Sequence, residues 1–190
     1  QQQAAAATPQ QNVLTETVTV RAICQGKHAG SIIGKGGQTI SWIRQQSQAK
    51  VNISDQSAVD ERVISATGTA EEIFRAYSFI CDKLREAALA DQPPPDASAP
   101  EVSLRLAIPN TQAGAIIGKA GAKIKEIRDA TGAAINMDKE VLPGSTERAC
   151  SVSGTTVAVS QSIFHIACTM IQVPVRGSNI PYNPGAGAPP

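Results

Sequence analysis

Apolar and polar positions change period in a fixed order along this chain. Between residues 15 and 24 they alternate, with Val18, Val20 and Ala22 on one side, which predicts a strand. GKHAGSII then groups Ala29, Ile32 and Ile33 as a two-turn helix would, and Gly34-Lys35-Gly36-Gly37 interrupts it. From 38 to 48, Ile40 and Ile43 stand three apart among polar neighbours, the spacing of an amphipathic helix. AKVNIS (49–54) and RVISATG (62–68) alternate again, as two strands around the polar loop DQSAVDE. Residues 69–90 carry the strongest helix signal: Thr69 as cap, Glu71 and Glu72 in the first turn, and Ile73, Tyr77, Ile80 and Leu84 as the inward stripe.

The same order then returns. EVSLRLAIP predicts a strand, NTQAGAII a short helix, Gly118-Lys119-Ala120-Gly121 the turn, and AKIKEIRDAT a second helix. GAAINM and ERACSVSG are expected as strands around the loop DKEVLPGST, with TTVAVSQSIFHIACTMIQV as the closing helix. The copies align residue by residue: Arg21 with Arg105, Gly30 with Gly114, Arg44 with Arg128, Asn52 with Asn136, and Glu61-Arg62 with Glu147-Arg148. Gly34 and Gly118 stand 84 residues apart, which leaves each copy room for a small globular unit of about 70 residues. The expected division is a disordered Gln/Ala-rich segment at 1–14, a first domain at 15–90, a linker at 91–100, a second domain at 101–173, and a flexible Pro/Gly-rich tail at 174–190. The three consecutive prolines in the linker cannot continue a helix.

Composition narrows the chemistry. The formal charge is only +1 over 190 residues, so any basic patch must be local. Aromatic residues make up 3% of the chain, too few for a surface built mainly on stacked rings. The 4 cysteines (Cys24, Cys81, Cys150, Cys168) show no C-x-x-C and no paired His spacing, and read as small buried hydrophobes in a reducing compartment. His28 and His165 are isolated from any nucleophile, base or metal constellation, so no catalysis, cofactor or metal is expected. There is no signal-peptide pattern and no apolar run long enough to span a bilayer. A chain that begins with Gln is expected to be an excised fragment of a longer protein.

The repeated turn carries the function. A lysine in a glycine-rich loop suggests the nucleotide cradle G-x-x-x-x-G-K-[ST]. Here the spacing from Gly30 to Gly34 is one residue short, and Gly36 and Ala120 stand where the magnesium-binding hydroxyl is required. A plain helix connection needs one glycine for positive φ, not two flanking a lysine in both copies. Short side chains there let a nucleic-acid backbone pack on the turn, the next helix presents free N–H groups and its positive dipole to phosphate, and Lys35 and Lys119 add mobile charge. This is the GXXG arrangement that clamps about four nucleotides.

Both halves resemble KH domains of type I. More closely, GSIIGKGG…IR…AKVNIS…ERVI and GAIIGKAGAKIKEIRDATGA…LPGSTERA, with IPYNP trailing, resemble the first two KH modules of the poly(C)-binding protein family over roughly residues 15–186. The resemblance implies an α+β fold: two βααββα domains, each a three-stranded antiparallel sheet packed on three helices. It also implies that the first strands and closing helices pack as an intramolecular pseudo-dimer. An extra apolar stripe of Phe74, Cys81, Phe164, Cys168 and Ile171 fits that, although a wide core face would explain it equally. A further KH module elsewhere in the protein, other ribonucleoprotein components as partners and a nuclear and cytoplasmic location follow from the resemblance alone.

Cytosine can be read from these residues. It shows acceptors at O2 and N3 and a donor at N4, so a reader needs a donor fork and an acceptor. Arg44 and Arg62, with Arg128 and Arg148 in the second copy, are candidate forks; Asn52, Asp55 and Asn136 are candidate acceptors. Ile33 and Ile53, with Ile117 and Met137, would floor a narrow aliphatic groove that favours small pyrimidines. Gly30, Ser31, Gly34, Lys35, Gly36 and Gly37, and in turn Gly114, Ala115, Gly118, Lys119, Ala120 and Gly121, form the clamp side. Lys50 adds a charge where the second copy has Ala134, and Asp55 aligns with Lys139, so the copies differ there. Against these roles, the arginines could be solvated or paired with neighbouring acids, and Asn52 could bond strand-edge backbone. The expected function is binding of C-rich single-stranded RNA or DNA in post-transcriptional regulation. The alternatives are another pyrimidine-rich motif, or a protein-interaction scaffold.

Overall fold

The computed structural model describes residues 15–55 and 59–185; the expected disorder at 1–14 lies outside them. In chain order the elements are β1 (Val18–Gln25), α1 (Gly26–Ile33), a tight turn (Lys35–Gly37), α2 (Gln38–Ser47), β2 (Lys50–Ile53), β3 (Glu61–Gly68) and α3 (Ala70–Asp91). The second half repeats them as β4 (Val102–Pro109), α4 (Asn110–Ile117), a tight turn (Lys119–Gly121), α5 (Ala122–Thr131), β5 (Ala134–Val141), β6 (Glu147–Gly154) and α6 (Thr156–Gln172). Each half is thus a three-stranded antiparallel sheet with three helices, the α+β class expected from the sequence.

Local chemistry sets the helix boundaries. Thr69 and Glu72 form a capping box: the Glu72 N–H donates to the Thr69 hydroxyl (3.3 Å) and the Thr69 N–H to the Glu72 carboxylate (2.9 Å). The short helices α1 and α4 end on Gly34 and Gly118, whose φ values of 75° and 77° suit glycine. One strand is longer than expected. The DKEV run, expected as loop, continues the strand: β5 runs on to Val141, which pairs with Arg148 after an irregularity that follows Met137. Backbone pairing with β6 extends this arm although its side chains from Asp138 to Val141 are all exposed, so no apolar alternation marks it.

The halves join through their first strands. β1 and β4 pair antiparallel, with Ala22 opposite Leu106, giving one six-stranded sheet in the order β2-β3-β1-β4-β6-β5. α3 and α6 lie against one another on one face, and Phe74 meets Phe164 edge-on at 6.1 Å. Beneath them a single core, including Tyr77, Ile64, Leu106 and Ile163, runs through both halves. Tyr77 is fully buried and donates its hydroxyl to the Val20 carbonyl at 2.8 Å, which removes the cost of an unpaired polar group. Cys81 and Cys150 lie in this core as free thiols, and burial pushes both up to about 12.

The opposite face of the sheet holds a second, smaller apolar cluster: Ile23, Val63, Ala107, Leu142, Ala149 and Tyr182. Tyr182 belongs to the segment expected to be a flexible tail. It has no regular secondary structure, but it is tied down: Tyr182 is only 9% exposed, and Ile180 exchanges bonds with Thr146 (N–H to Oγ1 2.8 Å, and Thr146 N–H to the Ile180 carbonyl 3.1 Å). The tail is therefore a strap over the seam, at least as far as Tyr182.

Candidate nucleic-acid interface

Each half carries the same surface feature, a bare turn beside an exposed strand edge. In the first, Gly34, Gly36 and Gly37 all have positive φ (75°, 62° and 77°). The Gly34 N–H closes α1 on the Gly30 carbonyl at 2.8 Å, and no side chain caps the start of α2. Lys35 and Gly36 are exposed at the tip. The second turn has the same backbone, with Gly118 and Gly121 at 77° and 75°, but Ala120 takes the left-handed conformation at φ 55°. Lys119 and Ala120 are likewise exposed.

The glycines do different jobs. A Cβ on Gly34 would lie 2.8 Å from the Thr39 backbone nitrogen, and one on Gly118 would lie 2.8 Å from that of Lys123. These two are required by the fold. A Cβ on Gly30 or Gly114 would meet nothing within 4 Å, although both sit inside helices, where glycine costs about 1 kcal/mol relative to alanine. Nothing in the chain itself fills the space they leave open.

β2 and β5 are the two edges of the sheet, each with an outer side that no further strand pairs. Arg44, from α2, donates Nε–H to the Val51 carbonyl at 2.7 Å, and Nη2 lies 3.5 Å from Asn52 Oδ1. Arg128 also holds its edge strand, but donates both Nε–H (2.9 Å) and Nη2–H (2.5 Å) to the Ile135 carbonyl. The edge carbonyl thus takes one guanidinium donor from Arg44 and two from Arg128, while both side chains stay exposed. Arg62 donates Nε–H to the Ser54 carbonyl at 2.7 Å. Arg148 differs: its Nε is buried with no hydrogen-bond partner in the chain. Val141 stands opposite Arg148, beyond the β5 irregularity.

The remaining candidates fall around these two features. Ile33, Ile53 and Met137 are half-buried and packed on the core, and Ile117 is half-buried. Asn52 and Asn136 are exposed on the edge strands, as is Lys50 on β2; Asp55 is exposed just past β2. Ser31 and Ala115 are half-buried on α1 and α4. The acids preceding Arg62 and Arg148 do not pair with them. Glu61 instead accepts from Arg105 (3.2 Å) and Glu147 from Arg21, a reciprocal exchange across the seam. Among the described residues no group of three or more His, Cys, Asp or Glu is placed to hold a metal ion.

Two residues near the first edge escaped the sequence reading. Tyr182 and Asn183 border the same recess as Asn52, Ile53 and Ser54. Their neighbours are more than a hundred residues away in sequence, and only the trailing IPYNP motif hinted at them.

The chain is 34% identical over 173 residues to RNA-binding protein rnc1 of Schizosaccharomyces pombe, a match covering 90% of this chain and 43% of that protein. The chain therefore spans less than half the length of that relative. Among solved structures it matches Dim2p from Pyrococcus horikoshii (17% identity, TM-score 0.27, 81% of this chain and 91% of that one). It also matches a chain of the a/eIF2alpha–aDim2p–rRNA complex from the same organism (15% identity, TM-score 0.26, 83% and 88%). Likeness at that level bears neither on ligand nor on domain placement. The KH domain family, however, matches residues 19–82 and 103–168, the greater part of both halves. The chain belongs to the KH-domain family and carries two such domains in tandem.

Proposed function

We propose that this chain binds C-rich single-stranded RNA or DNA through its two GXXG grooves, and that it acts in post-transcriptional regulation by occupying transcripts and recruiting partners. RNA binding as such is supported by the KH family and by the RNA-binding relative. The observation that carries the finer reading is the disposition of Arg44 and Arg128. In both domains an edge carbonyl holds the guanidinium through Nε, joined by Nη2 in Arg128, and leaves further N–H donors on an exposed side chain, while the same edge strand carries an exposed Asn. Two donors beside an amide match the O2, N3 and N4 positions of cytosine. Uracil would oppose a donor with its own N3–H. The half-buried Ile33, Ile53 and Met137 supply an aliphatic floor for a small base. A nuclear and cytoplasmic location belongs to the same proposal.

The test is fluorescence anisotropy of the 190-residue chain against oligo-C, oligo-U, oligo-A and a C-containing duplex at one fixed salt concentration. The same titrations are made with Lys35, Gly36, Lys119 and Ala120 replaced by Asp. The expected result is preferential oligo-C binding that the quadruple variant loses. Equal binding to every single strand would retain the clamp and discard the cytosine reading. Binding unaffected by the four substitutions would remove the turns from the interface.

A further inference from the structure

The strap does more than cover the seam. Tyr182 is held at three points: its N–H donates to Glu147 (2.7 Å), its carbonyl accepts from Arg21 (2.6 Å), and its hydroxyl donates to Glu61 (2.7 Å). Its ring fills the apolar cluster on the outer face of the sheet. Pro181 and Pro184 flank the Tyr182-Asn183 pair, and Pro184 is buried. A proline fixes its own φ and biases the preceding residue to extended backbone, so the pair is stiff from both sides.

This anchoring delivers Asn183 to a particular place. Asn183 is exposed, and with Tyr182 it forms one wall of a recess of about 260 Å³ whose other wall is Asn52, Ile53 and Ser54. Those are β2-edge residues of the first domain, beside the Arg44 and Arg62 guanidinium groups. Asn52, Ser54 and Ser65 line it beside the apolar Ile53 and Val63, and the Asn183 carboxamide adds both a donor and an acceptor.

We infer that Asn183 is a specificity-determining residue of the first groove. It is supplied from beyond the second domain and contacts a base or sugar edge that extends past Asn52. The inference rests on the reading that the β2 edge binds single-stranded nucleic acid. It makes two repeat-equivalent grooves chemically unequal, because the strap's amide lies beside β2 and not beside β5. It also makes the first groove complete only when the second domain is docked.

NMR titration of the full 190-residue chain with an RNA tetramer of cytidines tests this, because backbone amides report each groove separately. Asn183→Ala and Asn183→Asp are compared with the unaltered chain. The amides of Lys35 and Ile53 follow the first groove and those of Lys119 and Met137 the second; the Glu147 amide reports whether the strap stays seated. The loss of one or two hydrogen bonds should weaken binding in the first groove by about threefold to tenfold. The second groove should keep its affinity and the Glu147 amide its shift. Unchanged first-groove affinity in both variants overturns the inference while leaving the groove reading intact. Equal weakening in both grooves also overturns it, as the mark of a disturbed seam. If the unaltered chain shows no first-groove response, the groove reading itself fails and Asn183 loses its role with it.

Discussion

At the scale of single residues, the glycines separate what the fold needs from what a ligand needs. Gly34 combines a φ of 75° with a neighbouring backbone nitrogen 2.8 Å from where a Cβ would lie, so neither torsion nor space admits a side chain. Gly30, one turn earlier, has open space above it and sits within α1. Alanine should therefore act in opposite directions at the two positions. Gly34→Ala is expected to destabilise by about 2 kcal/mol or more, from left-handed strain and the clash. Gly30→Ala should stabilise by about 0.5–1 kcal/mol through helix propensity, yet weaken nucleic-acid binding by filling the place where a backbone would pack. Urea denaturation and anisotropy on the same preparations check both signs. A Gly30→Ala protein that is more stable and binds as well as its parent would place the ligand elsewhere. Ala120 holds the left-handed conformation without glycine's freedom, so the second turn already carries some of this strain.

At the scale of elements, the seam uses one ion pair twice with unequal surroundings. Arg21 meets Glu147, and Arg105 meets Glu61, so residues that align between the copies exchange partners across β1 and β4. Glu147 is 2% exposed and also accepts from the Tyr182 N–H and from Asn179 at 3.3 Å. The Arg105 and Glu61 side chains are 43% and 33% exposed. Removing Arg21 strands a buried carboxylate and should cost about 3 kcal/mol. Removing Arg105 should cost under about 1 kcal/mol, as for other exposed pairs. Equal losses for Arg21→Ala and Arg105→Ala in urea melts would mean that the strap adds nothing to the burial of Glu147. The repeat, the helices and the sheet strands were legible in the sequence because each is written in local periodicity, and Thr69 with Glu72 marks the start of α3 by itself. The exchanged pairs were not. Glu61 and Glu147 stand next to arginines in sequence, and adjacency suggested those as partners. Their true partners come from the other domain, and strand alternation turns Arg62 and Arg148 to the opposite face. The strap was hidden for the same reason: its composition reads as loop, and everything that fixes it is long-range. The candidate groove lay between these cases, with turn glycines and arginines visible as a repeated motif and Asn183 invisible.

At the scale of the whole molecule, the joined sheet decides how one nucleic-acid strand could use both grooves. β2 and β5 are the opposite edges of six strands, and five inter-strand steps of about 4.8 Å put them about 24 Å apart. The antiparallel β1–β4 pairing with helices on one face relates the domains by an approximate two-fold axis perpendicular to the sheet. Equivalent grooves then face away from each other and take nucleic acid with opposite polarity. A continuous strand must leave the first groove, turn around the molecule and enter the second in reverse, so adjacent tracts cannot serve both. Two cytidine tetramers should bind per chain without helping one another. Joined by a neutral spacer, they should bind no better than one tetramer while the spacer is short. Once it can make the turn, affinity should rise steeply, toward the about 10²–10⁴-fold gain of a tethered second site, and then fall slowly with further length. Isothermal titration over a spacer series measures both stoichiometry and threshold. A gain already complete at the shortest spacer would require the grooves to lie side by side, which the β1–β4 seam forbids. That result would show the seam opening when nucleic acid binds, with the Arg21–Glu147 pair and the Tyr182 strap as the contacts that must break.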